Sequence, residues 1–248
     1  MNRFAFFDEG NEKPVAFVPK VVIGCLLFAF TLQVTWHASR PPLIASATEL
    51  PTAPPVEKLL LLDLGDPVTL AKILMLWLQS FDNQPGISIP FRSLDYSGLI
   101  DWLQAILLLD DNAKYPLFAA SRLYSEVPDD VKKRQILEFV YQRFLEEPDE
   151  RWPTLAHAVY VAKHRLRDMQ LALRYAHALA NRVTAKNIPP WIKQMEIYVL
   201  EDMGEIESAK VLIGGLLESG EITDAHELSF LKQRLERLEK QESDDSSQ

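Results

Sequence analysis

The chain has 248 residues, 48% of them hydrophobic and 25% charged. That is ordinary globular composition with enough length for a sizeable core, and it argues against wholesale disorder. A formal net charge of −9 disfavours general nucleic-acid binding, because phosphate backbones attract basic surfaces, and the single cysteine, Cys25, excludes an intramolecular disulfide and a cysteine-based metal cluster.

Residues 1–14 read as an N-terminal tail. Residues 21–36 (VVIGCLLFAFTLQVTW) then run without a charge and, at about 1.5 Å per residue, cover about 24 Å, short of a hydrocarbon core of about 30 Å. Extending back to residue 15 supplies the missing length and brings in Lys20, whose stem reaches towards headgroups. Pro19 suits a first helical turn, and Trp36 suits an interface. We therefore expect one transmembrane helix over residues 15–36. A cleaved signal peptide fits less well: Ala45-Ser46-Ala47 lies far from Trp36, and Asp8, Glu9 and Glu12 are out of place in a basic leader. A lipid-modified Cys25 is disfavoured by the apolar run from Leu26 to Phe30. Arg3, Lys13 and Lys20 before the span, against Arg40 after it, predict a cytoplasmic N-terminus; in a bacterium the remainder would be periplasmic. Residues 37–58, with prolines at 41, 42, 51, 54 and 55, read as an extended linker.

From residue 59 the pattern is helical, with few glycines and no strand-like alternation. Helices are predicted at 67–81, 114–126, 153–165 and 190–202. Each is followed by a second helix, anchored at Leu99, Ile136, Ala172 and Ala209, so the repeat spacings are about 37, 36 and 37 residues. Every anchor opens an apolar stripe at helical spacing, such as Leu99, Trp102, Leu103, Ile106 and Leu107. Asp66-Pro67 and Trp152-Pro153 place proline near helix starts, and Pro148 and Gly220 lie just past helix ends.

Residues 159–180 (VYVAKHRLRDMQLALRYAHALA) and 197–219 (IYVLEDMGEIESAKVLIGGLLES) resemble tetratricopeptide (TPR) repeats. Asp168 and Gly204-Glu205 then lie in the interhelix turns, Ala172 and Ala209 match the small residue at the close helix crossing, and Pro148 matches the proline ending a unit. The resemblance covers residues 59–222 and weakens towards the first unit, where Leu99 and Ile136 replace the small residue and residues 83–93 make a long turn. It implies an all-α, TPR-like solenoid of about four helical hairpins that stack to cover their stripes, and a protein that binds other proteins. Residues 223–241 read as a capping helix and 242–248 as a disordered tail.

No phosphate loop, H-E-x-x-H or serine elbow is present. His157 and His164 lie about 10 Å apart on one helix face, too far to share an ion without a third ligand, so neither metal nor cofactor is expected. The acidic pairs Asp110-Asp111, Asp129-Asp130 and Glu146-Glu147 fall at predicted turns, where capping explains them. One charge feature exceeds background. Arg151, Lys163, Arg165, Arg167, Arg174, Arg182, Lys186 and Lys193 share residues 151–193 with a single acid, Asp168. A plain solvated face competes there with a docking surface for an acidic partner or anionic headgroups, with Trp152 and Tyr160 as candidate anchors. The helix at 67–81 is apolar on most faces. Burial against residues 59–62 and the next helix is the favoured expectation, with the bilayer, a second copy or a membrane partner as alternatives. Together these features lead us to expect a membrane-anchored protein–protein interaction scaffold without catalysis of its own. A constitutive subunit of a membrane complex is the rival, and an enzyme the least favoured class.

Overall fold

A computed structural model describes residues 18–39, 49–81, 83–84, 87–88, 93–185, 187–220, 222 and 224–245. It divides into two compact units, Met1–Ser46 and Ala47–Gln248.

The first unit contains α1 (Lys20–Ser39), with no buried residue. It is shifted from the expected 15–36: the helix opens at Lys20, continues past Trp36 to Ser39, and residues 15–17 lie outside the described ones. Twenty residues at 1.5 Å each reach about 30 Å, so α1 alone is long and apolar enough to cross a bilayer. Its hydroxyls turn inward. Thr31 donates to Leu27 O at 2.7 Å, Thr35 to Thr31 O at 2.6 Å and Ser39 to Thr35 O at 2.8 Å. These three hydroxyls are thereby satisfied within the helix, an arrangement that hydrocarbon also favours.

The second unit is all-α apart from a two-residue antiparallel pairing of Asn83–Gln84 with Ile87–Ser88. Its elements are α2 (Val56–Leu59), α3 (Pro67–Gln79), α4 (Tyr96–Leu109), α5 (Lys114–Arg122), a 3-10 turn (Tyr124–Glu126), α6 (Asp130–Glu146), α7 (Pro148–His164), α8 (Met169–Arg182), α9 (Trp191–Asp202), α10 (Ile206–Glu218) and α11 (Ala225–Asp245). Consecutive helices pack against one another from α3 to α11, the arrangement of a helical solenoid. Aspartates start several of them: Asp66 accepts from Thr69 N, Asp95 from Ser97 N and Gly98 N, Asp129 from Val131 N and Lys132 N, and Asp168 from Leu171 N. An acceptor at this position satisfies amides that have no intrahelical partner. All four repeat anchors, Leu99, Ile136, Ala172 and Ala209, are buried, so the sequence period does mark equivalent core positions.

Several boundaries move. Residues 49–58 are not free tether: Leu50, Ala53 and Val56 pack on the core, and Trp102 Nε1 donates to Pro51 O at 2.7 Å. A proline carbonyl is still an acceptor, and an indole N–H buried in a core needs one. The helix expected from residue 153 starts at Pro148, which takes its first turn with Asp149 and Glu150 and leaves Pro153 inside the helix. Helix α11 runs to Asp245, into the stretch expected to be disordered. It does more than face solvent, burying Leu231 and Leu238 and fixing Arg234 to Glu201 at 2.6 Å and 4.4 Å over Tyr198. The favoured burial of α3 holds on one side only. Ala71, Met75 and Leu78 are buried, while Ile73 and Leu76 stay exposed, as do Leu60, Leu61 and Leu62.

Two side chains adopt left-handed backbone, which glycine tolerates and other residues enter at a cost of about 1 kcal/mol. Leu64 (φ 50°) sits beside Gly65 (φ 86°) in the turn before α3. Arg167 (φ 53°) ends the α7 hairpin, where Gly204 (φ 79°) does the same duty after α9. Asp168 N closes that turn onto Ala162 O at 2.9 Å, one residue further back than in the Schellman turn at Gly204, where Glu205 N donates to Leu200 O at 2.9 Å. Arg167→Gly is therefore expected to stabilise the domain by about 1 kcal/mol, read as a higher urea midpoint with an unchanged slope. A lower midpoint would show that the arginine side chain holds the turn.

Candidate protein-docking surface

The basic run lies among acids supplied by its neighbours. Arg151 is buried at the start of α7, where its guanidinium donates to Arg143 O and Glu146 Oε2 at 2.8 Å each and to Asp111 Oδ1 at 2.6 Å, with Glu147 Oε2 at 3.0 Å. Two of the acidic pairs expected to cap helices thus supply the carboxylates around a buried cation. Lys163 pairs with Asp202 on α9, and Arg165 lies 3.4 Å from Glu126. Arg174 grips both oxygens of Glu138 at 3.0 and 3.1 Å while lying 4.3 Å over the Tyr141 ring. Its hydrogen bonds to Glu138 raise the already high guanidinium pKa. Asp168 pairs with Arg134 on α6, and that hydrogen bond, with Leu171 N behind it, holds the carboxyl below the usual range. Arg167 and Arg182 are exposed. Lys193 lines a cleft with His177 and Glu196 between α8 and α10, and Lys186 lies outside the described residues. Opposite charges on adjacent hairpins cancel much of the run's field, and the half-exposed pairs contribute at most about 1 kcal/mol each.

Trp152 is half-buried and meets Trp191 edge-on at 6.0 Å, so it serves packing between α7 and the start of α9. Tyr160 differs: 45% exposed, it stacks between His157 at 5.8 Å and His164 at 4.8 Å. On α5, Phe118 is exposed to a similar degree, stacks on Tyr115 at 6.0 Å and carries the Arg122 guanidinium 5.8 Å above its ring. Tyr115 OH accepts from Gln79 Nε2 at 2.6 Å, which reaches across to α3. Helices α5 and α7 pack together, and Arg122 is near enough to His157 to bias its titration. Tyr115 and Phe118 on α5 and Tyr160 on α7 are thus exposed aromatics on two helices that pack together. Tyr115 borders a cleft of about 470 Å³ with Met75, Leu76, Ile106 and Pro116. Phe118 borders another of about 200 Å³ with Leu117, Pro153 and Thr154. Flat aromatic faces, aliphatic clefts and a charged rim are the chemistry of protein–protein contact. Tyr115, Phe118 and Arg122 were missed in the sequence because each fits the apolar or basic pattern of its own helix; only the stacking of α5 on α7 joins them.

Burial, then the positive charge of Arg122, pushes the His157 imidazole below its ordinary 6.5, and its Nε2 is enclosed without a hydrogen-bond partner. The folded state therefore favours the neutral ring, while the unfolded chain protonates near 6.5. Stability tied to His157 is intact above about pH 6.5 and falls as the pH drops below it. Urea unfolding at about pH 7.5 and pH 5.5 should show a loss on acidification that His157→Gln reduces; equal losses in both proteins would remove His157 as the cause.

Among the described residues, no group of three or more His, Cys, Asp or Glu is arranged to hold a metal ion. The fold and this surface define an all-α helical-repeat protein with one apolar N-terminal helix. The chain matches no family model, no curated protein and no solved structure.

Proposed function

We propose that this chain is a membrane-anchored, TPR-like scaffold that docks a partner protein through the exposed aromatics of α5 and α7. The single observation that carries the reading is the exposure of Tyr115, Phe118 and Tyr160, each more than 40% exposed, on two packed helices, with one cleft beside Tyr115 and another beside Phe118. Exposed aromatics are costly unless covered, and in interfaces they supply most of the binding energy. The resemblance of residues 159–180 and 197–219 to TPR repeats and the period of about 37 residues support the same class. Helix α1 is the anchor, with the N-terminus cytoplasmic by the excess of Arg3, Lys13 and Lys20, and the repeat domain periplasmic in a bacterial host. Tethering keeps a bound partner at high effective concentration beside the bilayer. The partner is a protein with apolar side chains for the clefts and acidic residues for Arg122, Arg165 and Arg167.

A photo-crosslinking residue placed at position 118 or 160 in intact cells should capture the same protein, and one at position 131 should not, although Val131 on α6 is 68% exposed. Phe118→Ala and Tyr160→Ala should each cut capture by position 115 about tenfold. Capture that does not distinguish these positions would end the docking reading. Unchanged capture after reversing the charge of Arg122, Arg165 and Arg167 would remove acidity from the partner's description.

A further inference from the structure

Among the described residues beyond 39, seven of the seventeen exposed large hydrophobic residues lie between Leu60 and Leu76, a density these residues show nowhere else. They fall in two groups. Leu61, Leu62 and Leu64 are 82%, 65% and 98% exposed in the turn before α3, and Val68 and Ile73 follow on the outer side of α3, with Leu76 at the rim of the cleft beside Tyr115. The turn is built to hold this shape. Asp63 Oδ1 accepts from Gly65 N at 2.8 Å, Asp66 N donates back to Asp63 O at 2.8 Å, and Asp66 starts α3. Leu64 is fixed at φ 50° with its side chain almost wholly in solvent. Glycine is the cheap residue for that backbone, so packing within the domain does not account for a leucine there.

We infer that this leucine turn and the outer side of α3 lie in the membrane interface, seating the N-terminal edge of the repeat domain on the bilayer that α1 crosses. The inference rests on the reading of α1 as an anchor. Chain length selects the occupant. The segment between Ser39 and Glu49 reaches at most about 36 Å when fully extended, and Leu50 is already packed on the core about ten residues before the turn. The bilayer surface is thus permanently within reach of this edge, whereas a second copy or another protein must be recruited. Charge selects the mode. Glu57, Lys58, Asp63, Asp66 and Lys72 nearly balance, and the Thr69 hydroxyl and amide hold Asp66 in its charged form by lowering its pKa. Apolar area rather than anionic lipid then drives the contact, which inserts shallowly, as interfacial segments do.

The test uses the full, unmodified chain in nanodiscs containing a lipid with a photoreactive acyl chain, with cross-linked sites mapped by mass spectrometry. Label is expected in residues 20–39 and again in 60–76, equally in phosphatidylcholine alone and with added anionic lipid. Leu64→Gly, which relieves the backbone, and Leu61→Asp with Leu62→Asp should each reduce label in 60–76 without lowering the unfolding midpoint. Label confined to 20–39 would overturn the inference and leave the anchor standing; label in neither region would overturn both. Label in 60–76 only with anionic lipid would also refute it, as would protein–protein cross-links there in place of lipid, which would give the edge to a second copy or a partner subunit.

Discussion

Trp102→Ala is expected to lower the unfolding free energy of the detergent-solubilised chain by about 4 kcal/mol. The indole is 5% exposed, lies 4.6 Å from Trp77 and donates its N–H to Pro51 O, so truncation removes a large apolar volume and one hydrogen bond together. It also cuts the tie between the proline-rich segment and the helices. Trp102→Phe separates these effects. The ring packing survives, Pro51 loses its donor, and the cost falls to about 1 kcal/mol, with faster proteolysis within residues 49–58. Urea denaturation with limited proteolysis checks both. A Phe variant as unstable as the Ala variant would mean that the hydrogen bond, not the packing, dominates.

Arg151→Met is expected to cost about 3 kcal/mol. Methionine fills much of the volume but leaves Asp111, Glu146 and Glu147 facing one another around a site that held their shared cation. These acids come from the end of the α4 hairpin and the end of α6, and Arg151 comes from α7, so one guanidinium joins three successive segments. Arg151→Lys should recover less than half of the loss, because a single ammonium cannot serve four acceptors in a planar fork. The carboxylates are 67%, 44% and 43% exposed, so water recovers part of the penalty; a loss below about 1 kcal/mol would show that it recovers nearly all. Charge reversal at Arg151 would for the same reason confuse misfolding with lost docking, so acidity of the partner is tested at the exposed Arg122, Arg165 and Arg167 instead.

The second unit's architecture was legible because helical stripes and their 37-residue period are local facts. Leu99, Ile136, Ala172 and Ala209 are spaced by the need of each hairpin to hide one face, and each lands in the core. The Asp129-Asp130 pair was legible as a helix cap on the same ground, since Asp129 acts on amides two and three residues away, whereas the caps at Asp66, Asp95 and Asp168 emerge only in the structure. The basic run was legible as a count and misleading as a surface. Its partners Glu126, Glu138, Asp111 and Asp202 stand some 35 to 40 residues away, and no local pattern says that repeats will stack acid onto base. Similarly, Pro51 reads as linker until Trp102 is brought to it across 51 residues.

The sequence by itself determined the helices, their repeat and one apolar N-terminal segment of membrane-spanning length, because hydrophobic periodicity, capping and solvation act within a few residues. Tertiary structure alone decided which charges are paired, that residues 49–58 belong to the domain, and that the helices carrying Tyr115, Phe118 and Tyr160 pack together. Those outcomes depend on distances between side chains far apart in the chain, and such distances exist only once the hairpins have stacked.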